Sequence, residues 1–445
     1  MSRFVRHLLC TALAVSACAG AAGAQLLGQL SLPPVGVPGP VGNVPVAGPV
    51  LQGVLGSPQV QQQVVRPTLD AVSGLPPAVV EAGSATLAQV RRMRLAALIR
   101  ENRDTLEADE HGRPARRGVL IAIDPDPLSL QLASAAGFRV AAQNVEPTLG
   151  IRVVKLAVPA RMNVREAMKR LRTAAPQLQV DYDHVFEPAG GSLMPLTASL
   201  ASLAGAGNGR IVGMIDGAVA SHPSLAGAAI EQHGFSGAPK PTGHGTAVAS
   251  LLVGAQGPFR GAATGAKLYV ADVYGGSRAG GSASAIVPAL GWLAAHGAQV
   301  ISISLVGPMN AVVERAIAAV QRRGIRVVAA VGNDGPAAPP QYPASYPGVV
   351  AVTAVDARGH ALPEAGRAAH LDFAAPGADM AAALPGQGDA RVRGTSFAAP
   401  LAAARLLVAG SPERLAAETR RGSGRIGRGI VCFECRIDPK TVGAK

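Results

Sequence analysis

A serine, a histidine and an aspartate stand far apart in this 445-residue chain, each at the edge of an apolar stretch. Ser396 lies in Gly394-Thr395-Ser396-Phe397-Ala398-Ala399-Pro400, a glycine-led turn into a helix. The pattern predicts an exposed serine at the helix start, with the proline placed where the first turn has no intrahelical donor to lose. Such a hydroxyl sits near the positive end of the helix macrodipole, beside backbone N–H groups without partners. Serine also has a plain structural use there, as a cap. Asp216 closes the apolar run Ile211-Val212-Gly213-Met214-Ile215, and His244 lies between Gly243 and Gly245 ahead of an apolar helix. Alone, each reads as a turn, cap or helix-start residue. Together they supply what a serine nucleophile needs: a base to take its proton, and a carboxylate to hold that base in the right tautomer.

Bringing these groups together requires an ordered scaffold. Near-continuous apolar runs predict strands at 210–215, 267–273, 299–304, 325–331 and 348–354, and helices at 244–254, 282–296, 310–323 and 396–408. Alternation of that kind implies an α/β fold, with a parallel sheet covered by helices on both faces. Right-handed crossovers then gather the strand ends, and the three groups, along one edge.

IVGMIDGAV, GHGTAVAS, AAVGNDG and GTSFAAP resemble the four signature segments of the subtilisin-like serine peptidases, the subtilases. Ser221 to Leu225, Gly261 to Tyr269, Val300 to Leu305 and Phe373 to Gly377 resemble further stretches of that family, so the likeness runs over about 208–409 and more loosely to 436. It implies a serine endopeptidase acting on proteins or peptides, with Ser396 as nucleophile, His244 as base and Asp216 orienting the imidazole. Asn333, on its own residues a left-handed turn position, becomes by resemblance the side-chain donor to the oxyanion, alongside the Ser396 N–H. Substrate would lie along Ser304, Leu305, Val306 and Gly307 and along Ala330 and Gly332. Two departures bear on this: Gly217-Ala218 lacks a usual hydroxyl after the aspartate, and Val306 replaces a usual glycine, narrowing the cleft. Acidic residues are sparse, so the family's calcium sites are not carried over; no cofactor or metal is expected.

The rest of the chain divides by composition. Residues 1–24 carry Arg3 and Arg6, an apolar stretch and Ala22-Gly23-Ala24, the pattern of an export signal. Val15-Ser16-Ala17-Cys18 also resembles a lipobox, the alternative being a lipid on Cys18. Residues 25–80 are Pro/Gly-rich and nearly uncharged, a linker, and 81–115 hold a basic helix expected over Thr86–Glu107. Residues 116–188 read as β-α-β-β-α-β, with a capping box at Asn163 and Glu166, a ferredoxin-like order. By resemblance this α+β unit is a propeptide, which helps folding and blocks the cleft. Residues 189–207 are small and linker-like, where self-cleavage is expected, leaving Val185–Pro188 in the cleft as an added strand. The peptidase unit spans 208–436 and a tail 437–445.

The remaining signals are weaker. Cys432 and Cys435 could be redox-active, half of a zinc site or a disulfide; without a second pair, and in an exported chain, a disulfide on a terminal strand is expected. The net charge of +13 raises nucleic-acid binding, but no basic run with interleaved aromatics accompanies it. No membrane span, no nucleic-acid partner and a monomer are expected. A catalytically impaired binding protein is the alternative function, while an esterase would need a G-x-S-x-G elbow that is absent.

Overall fold

The computed structural model describes residues 77–189, 192–193, 209–277 and 280–444. The export signal, Cys18, most of the 25–80 linker and most of 190–208 lie outside them. In chain order the elements are α1 (Pro77–Glu101), β1 (Leu106–Ala108), β2 (Pro114–Ile123), α2 (Pro127–Ala135), β3 (Arg139–Glu146), β4 (Ile151–Ala157), α3 (Val164–Ala174), β5 (Val180–Pro188) and β6 (Ser192–Leu193). Then follow β7 (Ile211–Asp216), β8 (Ile230–Gly234), α4 (Gly243–Val253), β9 (Ala255–Gln256), β10 (Phe259–Arg260), β11 (Lys267–Asp272), β12 (Gly281–Ser282) and α5 (Ala283–Ala295). The chain continues through β13 (Val300–Ile303), β14 (Leu305–Val306), α6 (Ala311–Arg322), β15 (Arg326–Ala330), β16 (Val350–Val355), β17 (Phe373–Pro376), β18 (Met380–Leu384), β19 (Gly388–Arg393) and α7 (Thr395–Ala409).

The larger unit is the expected α/β fold, a parallel sheet flanked by helices. Its seven-stranded sheet has the order β17-β16-β15-β13-β7-β11-β8, and every pairing is parallel. Strands in such a sheet are covered on both faces, which is why they read as unbroken apolar runs. The order reverses at β7, so Asp216 sits at a topological switch point, where open α/β sheets place their sites. On one face lie α5 and α6; α7, largely apolar, is buried on the other, its Leu401 and Leu406 in one cluster with Phe373 and Val352.

The smaller unit pairs its strands antiparallel, in the order β5-β2-β4-β3 with β1 added beside β2. Alternate residues of β2 serve different cores. Leu120 and Ala122 pack with Met168 and Leu171 of α3, whereas Ile121 and Ile123 join the α5–α6 side of the larger unit. The Asn163 capping box that opens α3 is present. At the junction, Asp183 accepts bonds from Ser284 N (2.9 Å) and Ser284 Oγ (2.8 Å), and Asp181 accepts one from Ala311 N at 2.8 Å. Two carboxylates of β5 thus cap the N-termini of α5 and α6, where orphan N–H groups and helix dipoles favour negative charge. Asn310 donates to His184 Nδ1 (3.1 Å), whose Nε2 reaches Asp109 at 3.1 Å.

Some sequence expectations need correction. The basic helix starts at Pro77 and ends at Glu101, not at Glu107. Its end is marked by the Asn102 side chain donating to the Leu98 carbonyl at 2.9 Å, and Leu106–Ala108 is recruited by β2. Ala189 is not part of an exposed linker: it is 2% exposed. Cys432 and Cys435 are joined by a disulfide, but it flanks a 3₁₀ turn, not a strand.

Candidate active site

Asp216 is fully buried at the end of β7 and holds the Gly217 N–H at 2.7 Å. His244, the second residue of α4, donates from Nδ1 to both carboxylate oxygens, at 3.0 and 2.9 Å. In the neutral tautomer that bond leaves Nε2 as the acceptor nitrogen; among the described residues Nε2 is buried without a hydrogen-bond partner. Thr242 fixes the helix start, capping it through Gly245 N at 2.9 Å. The absence of a side chain at position 217 has a steric reason, since a Cβ there would lie 2.5 Å from Thr242 Oγ1.

Ser396 is in the first turn of α7, but buried, which corrects the expected exposure. The adjoining Phe397 ring lies 5.6 Å from the His244 ring, which places the serine's turn beside the imidazole. Pro400 is inside the helix rather than at its donor-free start. Having no N–H, it cannot bond the Ser396 carbonyl four residues back. Ser304 supplies the missing donor, its Oγ lying 2.8 Å from Ser396 O. Thr395 ties in the third segment: its N–H donates to Asn333 Oδ1 at 3.0 Å, and its Oγ1 accepts from Gly332 N at 3.1 Å. With Oδ1 held by Thr395, Asn333 Nδ2 donates to the carbonyl oxygen of Ala189.

Ala189 is there because β5 runs through the cleft. Gly281 and Ser282 of β12 pair antiparallel with Phe186 and Val185, while Leu305 and Val306 of β14 pair with Pro188 and Glu187. The Ala189 N–H then donates to Ser304 O at 2.9 Å. Beyond the cleft, Ser192 and Leu193 pair with Arg393 and Val392 of β19. Paired segments thus flank the Ala189 carbonyl in sequence, β5 before it and β6 after it.

The side chains of this segment find fitted places. Phe186 is fully buried, and a Cβ at Gly307 would lie 2.5 Å from its ring. Ala189 packs with Val306, Ala330 and Ala399, so the branched Val306 forms part of the wall around its methyl group. Gly332, at φ +87°, turns the chain from β15 toward Asn333. Of the residues singled out by sequence, Ser304 to Gly307, Ala330 and Gly332 therefore border one groove, and Cys432 and Cys435 stand apart from it. Thr242, Thr395 and Asp272 were missed. Asp272 accepts from Lys240 N and Tyr274 N at 2.8 Å each, steadying the approach to Thr242. Only Thr242 had a readable signal, a threonine just ahead of a helix start. Burial holds the Tyr274 phenol well above its ordinary pKa, and the Asp216 charge adds to this. Among the described residues no cluster of potential metal ligands is present, and no helix is long and apolar enough to cross a membrane.

Residues 207–416 match the subtilase family. The chain is similar to Subtilisin Savinase of Lederbergia lenta, with 36% identity over 199 residues that make up 44% of this chain and 73% of that protein. Identity to the alkaline protease of Alkalihalobacillus alcalophilus is also 36% over 199 residues, 44% of this chain and 52% of that one, so that the chain spans about half the length of that relative. Among solved structures, fervidolysin from Fervidobacterium pennivorans, a keratinolytic enzyme related to subtilisin, matches with a TM-score of 0.60 and 20% identity. That match covers 72% of this chain and 61% of fervidolysin, and is a likeness of fold.

Proposed function

We propose, from the premise that this chain belongs to the subtilase family of serine endopeptidases, that it is made as an inactive precursor which cuts itself between Ala189 and Gly190. The reading rests above all on one observation: β5 lies paired in the groove, with the carbonyl of Ala189 on the Asn333 amide. Extended pairing on both sides of that carbonyl is how a peptidase groove holds a substrate, by strand addition.

In this reading the Ser396 Oγ attacks the Ala189 carbonyl carbon as its proton passes to His244 Nε2. Asp216, already bonded to Nδ1, compensates the imidazolium that forms. The carbonyl oxygen becomes an oxyanion held by Asn333 Nδ2 and the Ser396 N–H at the start of α7. When the C–N bond breaks, His244 returns the proton to the departing amine of Gly190, leaving an acyl-enzyme at Ser396. Water, deprotonated by the same imidazole, releases it. Other peptides follow the same steps once the groove is vacated. Residues 116–188 act as the propeptide, held by strand pairing and by the caps of Asp181 and Asp183. The leader pattern of residues 1–24 supports export before maturation.

A serine-directed phosphonylating reagent tests this. With the self-processed chain, the adduct maps to Ser396 and peptide hydrolysis stops in proportion to labelling. Full hydrolysis by a chain fully labelled at Ser396, or by the Ser396→Ala chain, contradicts it.

A further inference from the structure

Helix α1 lies upstream of the unit that fills the groove, yet its side chains reach the groove. Arg91 Nε donates to Asp334 Oδ2 at 2.8 Å and its Nη2 to Gln341 Oε1 at 3.2 Å. Arg94 bridges two carboxylates, with Nη1 on Glu187 Oε1 and Nη2 on Asp334 Oδ1, each at 3.2 Å. Leu87 packs on the next residue of the same loop, where a Cβ at Gly335 would lie 3.0 Å from it. The Arg91–Asp334 pair is largely shielded, its side chains only 14% and 15% exposed. Asp334 directly follows Asn333, so its carboxylate is fixed one residue from the oxyanion donor. Both of its cationic partners stand on the portion of the chain that leaves after scission at Ala189.

From this geometry we infer that Asp334, with Gln341 beside it, is an acceptor site for a guanidinium or ammonium group, filled in the precursor by Arg91 and Arg94 and in the mature enzyme by a basic substrate residue. This rests on Ala189–Gly190 as the scissile bond and on the groove as the substrate site. The residue concerned is the third before the scissile bond, the place Glu187 holds in the uncut chain. Glu187 and Asp334 face one another across the single Arg94 guanidinium. Burial raises the Glu187 carboxyl above its ordinary pKa; Arg94 opposes this, and the Asp334 charge reinforces it. With α1 gone, a glutamate there meets an uncompensated like charge, whereas an arginine meets Asp334 directly. Attraction of one side chain and repulsion of its opposite add in the discrimination.

The test uses the full chain after it has processed itself. Three fluorogenic peptides span Val185 to Leu193, carrying Glu, Gln or Arg in the place of Glu187. At low salt kcat/KM rises in the order Glu, Gln, Arg, with Arg over Glu by roughly tenfold, the scale of a part-shielded ion pair. Raising the salt to about 1 M compresses the ratio, because exposed charges are then screened within a few ångströms. In Asp334→Asn the Arg-to-Glu ratio falls to within about threefold of unity. Equal cleavage of the three peptides by the unmutated chain, a preference for Glu, or a ratio unchanged in Asp334→Asn overturns the inference and leaves the cleavage site standing. Failure to cut any of the three overturns both. Should Asp334→Asn not fold, the salt series on the unmutated chain decides alone.

Discussion

The two sheets of this molecule are buried in different ways. The large parallel sheet is closed on both faces by its own helices, among them α5, α6 and α7. The small antiparallel sheet covers one face with α2 and α3 and lends the other, through Ile121, Ile123, Ile151 and Val153, to the core of its neighbour. One unit therefore carries a complete core, while the other leaves a row of branched apolar residues bare if it departs, a poor basis for independent stability. Changes in the large unit should alter chemistry with the fold intact, and changes in the small one should alter assembly with the chemistry intact.

The largest effect expected is in the large unit. Ser396→Ala should stop self-processing and lower kcat on any peptide by on the order of a millionfold, a magnitude established in subtilisin itself. Intact precursor should accumulate, still folded by circular dichroism. Asn333→Ala should cost about 10²- to 10³-fold in kcat with little change in KM; that figure too is subtilisin's. A comparable rise in KM instead would assign Asn333 to ground-state binding.

The small unit should respond in the other currency. Leu171 is fully buried in α3, and Leu171→Ala should remove about 2–5 kcal/mol from its unfolding. In the Ser396→Ala background, which keeps the chain whole, a denaturant titration should move the small unit's transition and leave the large unit's in place. A single shared transition moving as one would show that the two units do not unfold separately. Smallest of all, Asp183→Ala removes one helix cap across the junction, a loss of about 1 kcal/mol. The released N-terminal fragment should then inhibit the processed enzyme about fivefold more weakly, read from its inhibition constant.

What could be read from sequence follows the same division. Five of the seven parallel strands, and the helices predicted with them, were legible to within a residue or two because burial on both faces writes unbroken apolar runs. Strand β8 was not, since its middle residues Glu231, Gln232 and His233 are exposed at the sheet's edge and leave no apolar signature. Asp216, His244, Ser396 and Asn333 were legible as motifs, each written within a few residues. Their supports were not: Ser304 completes a carbonyl orphaned by Pro400, 92 residues from its partner, and Arg91 finds Asp334 across 243 residues. Neither pairing has a local pattern. Ala189 was misjudged for the converse reason, because small residues suit an exposed linker and also a narrow pocket.

Everything turns on the Ala189 carbonyl being the one attacked. The freshly processed chain should be quenched and both products weighed by intact mass spectrometry. The expected products are an N-terminal fragment ending at Ala189 and a partner beginning at Gly190, with neither formed by Ser396→Ala. A first cut at any other bond, or the same two products from the Ser396→Ala chain, would contradict it.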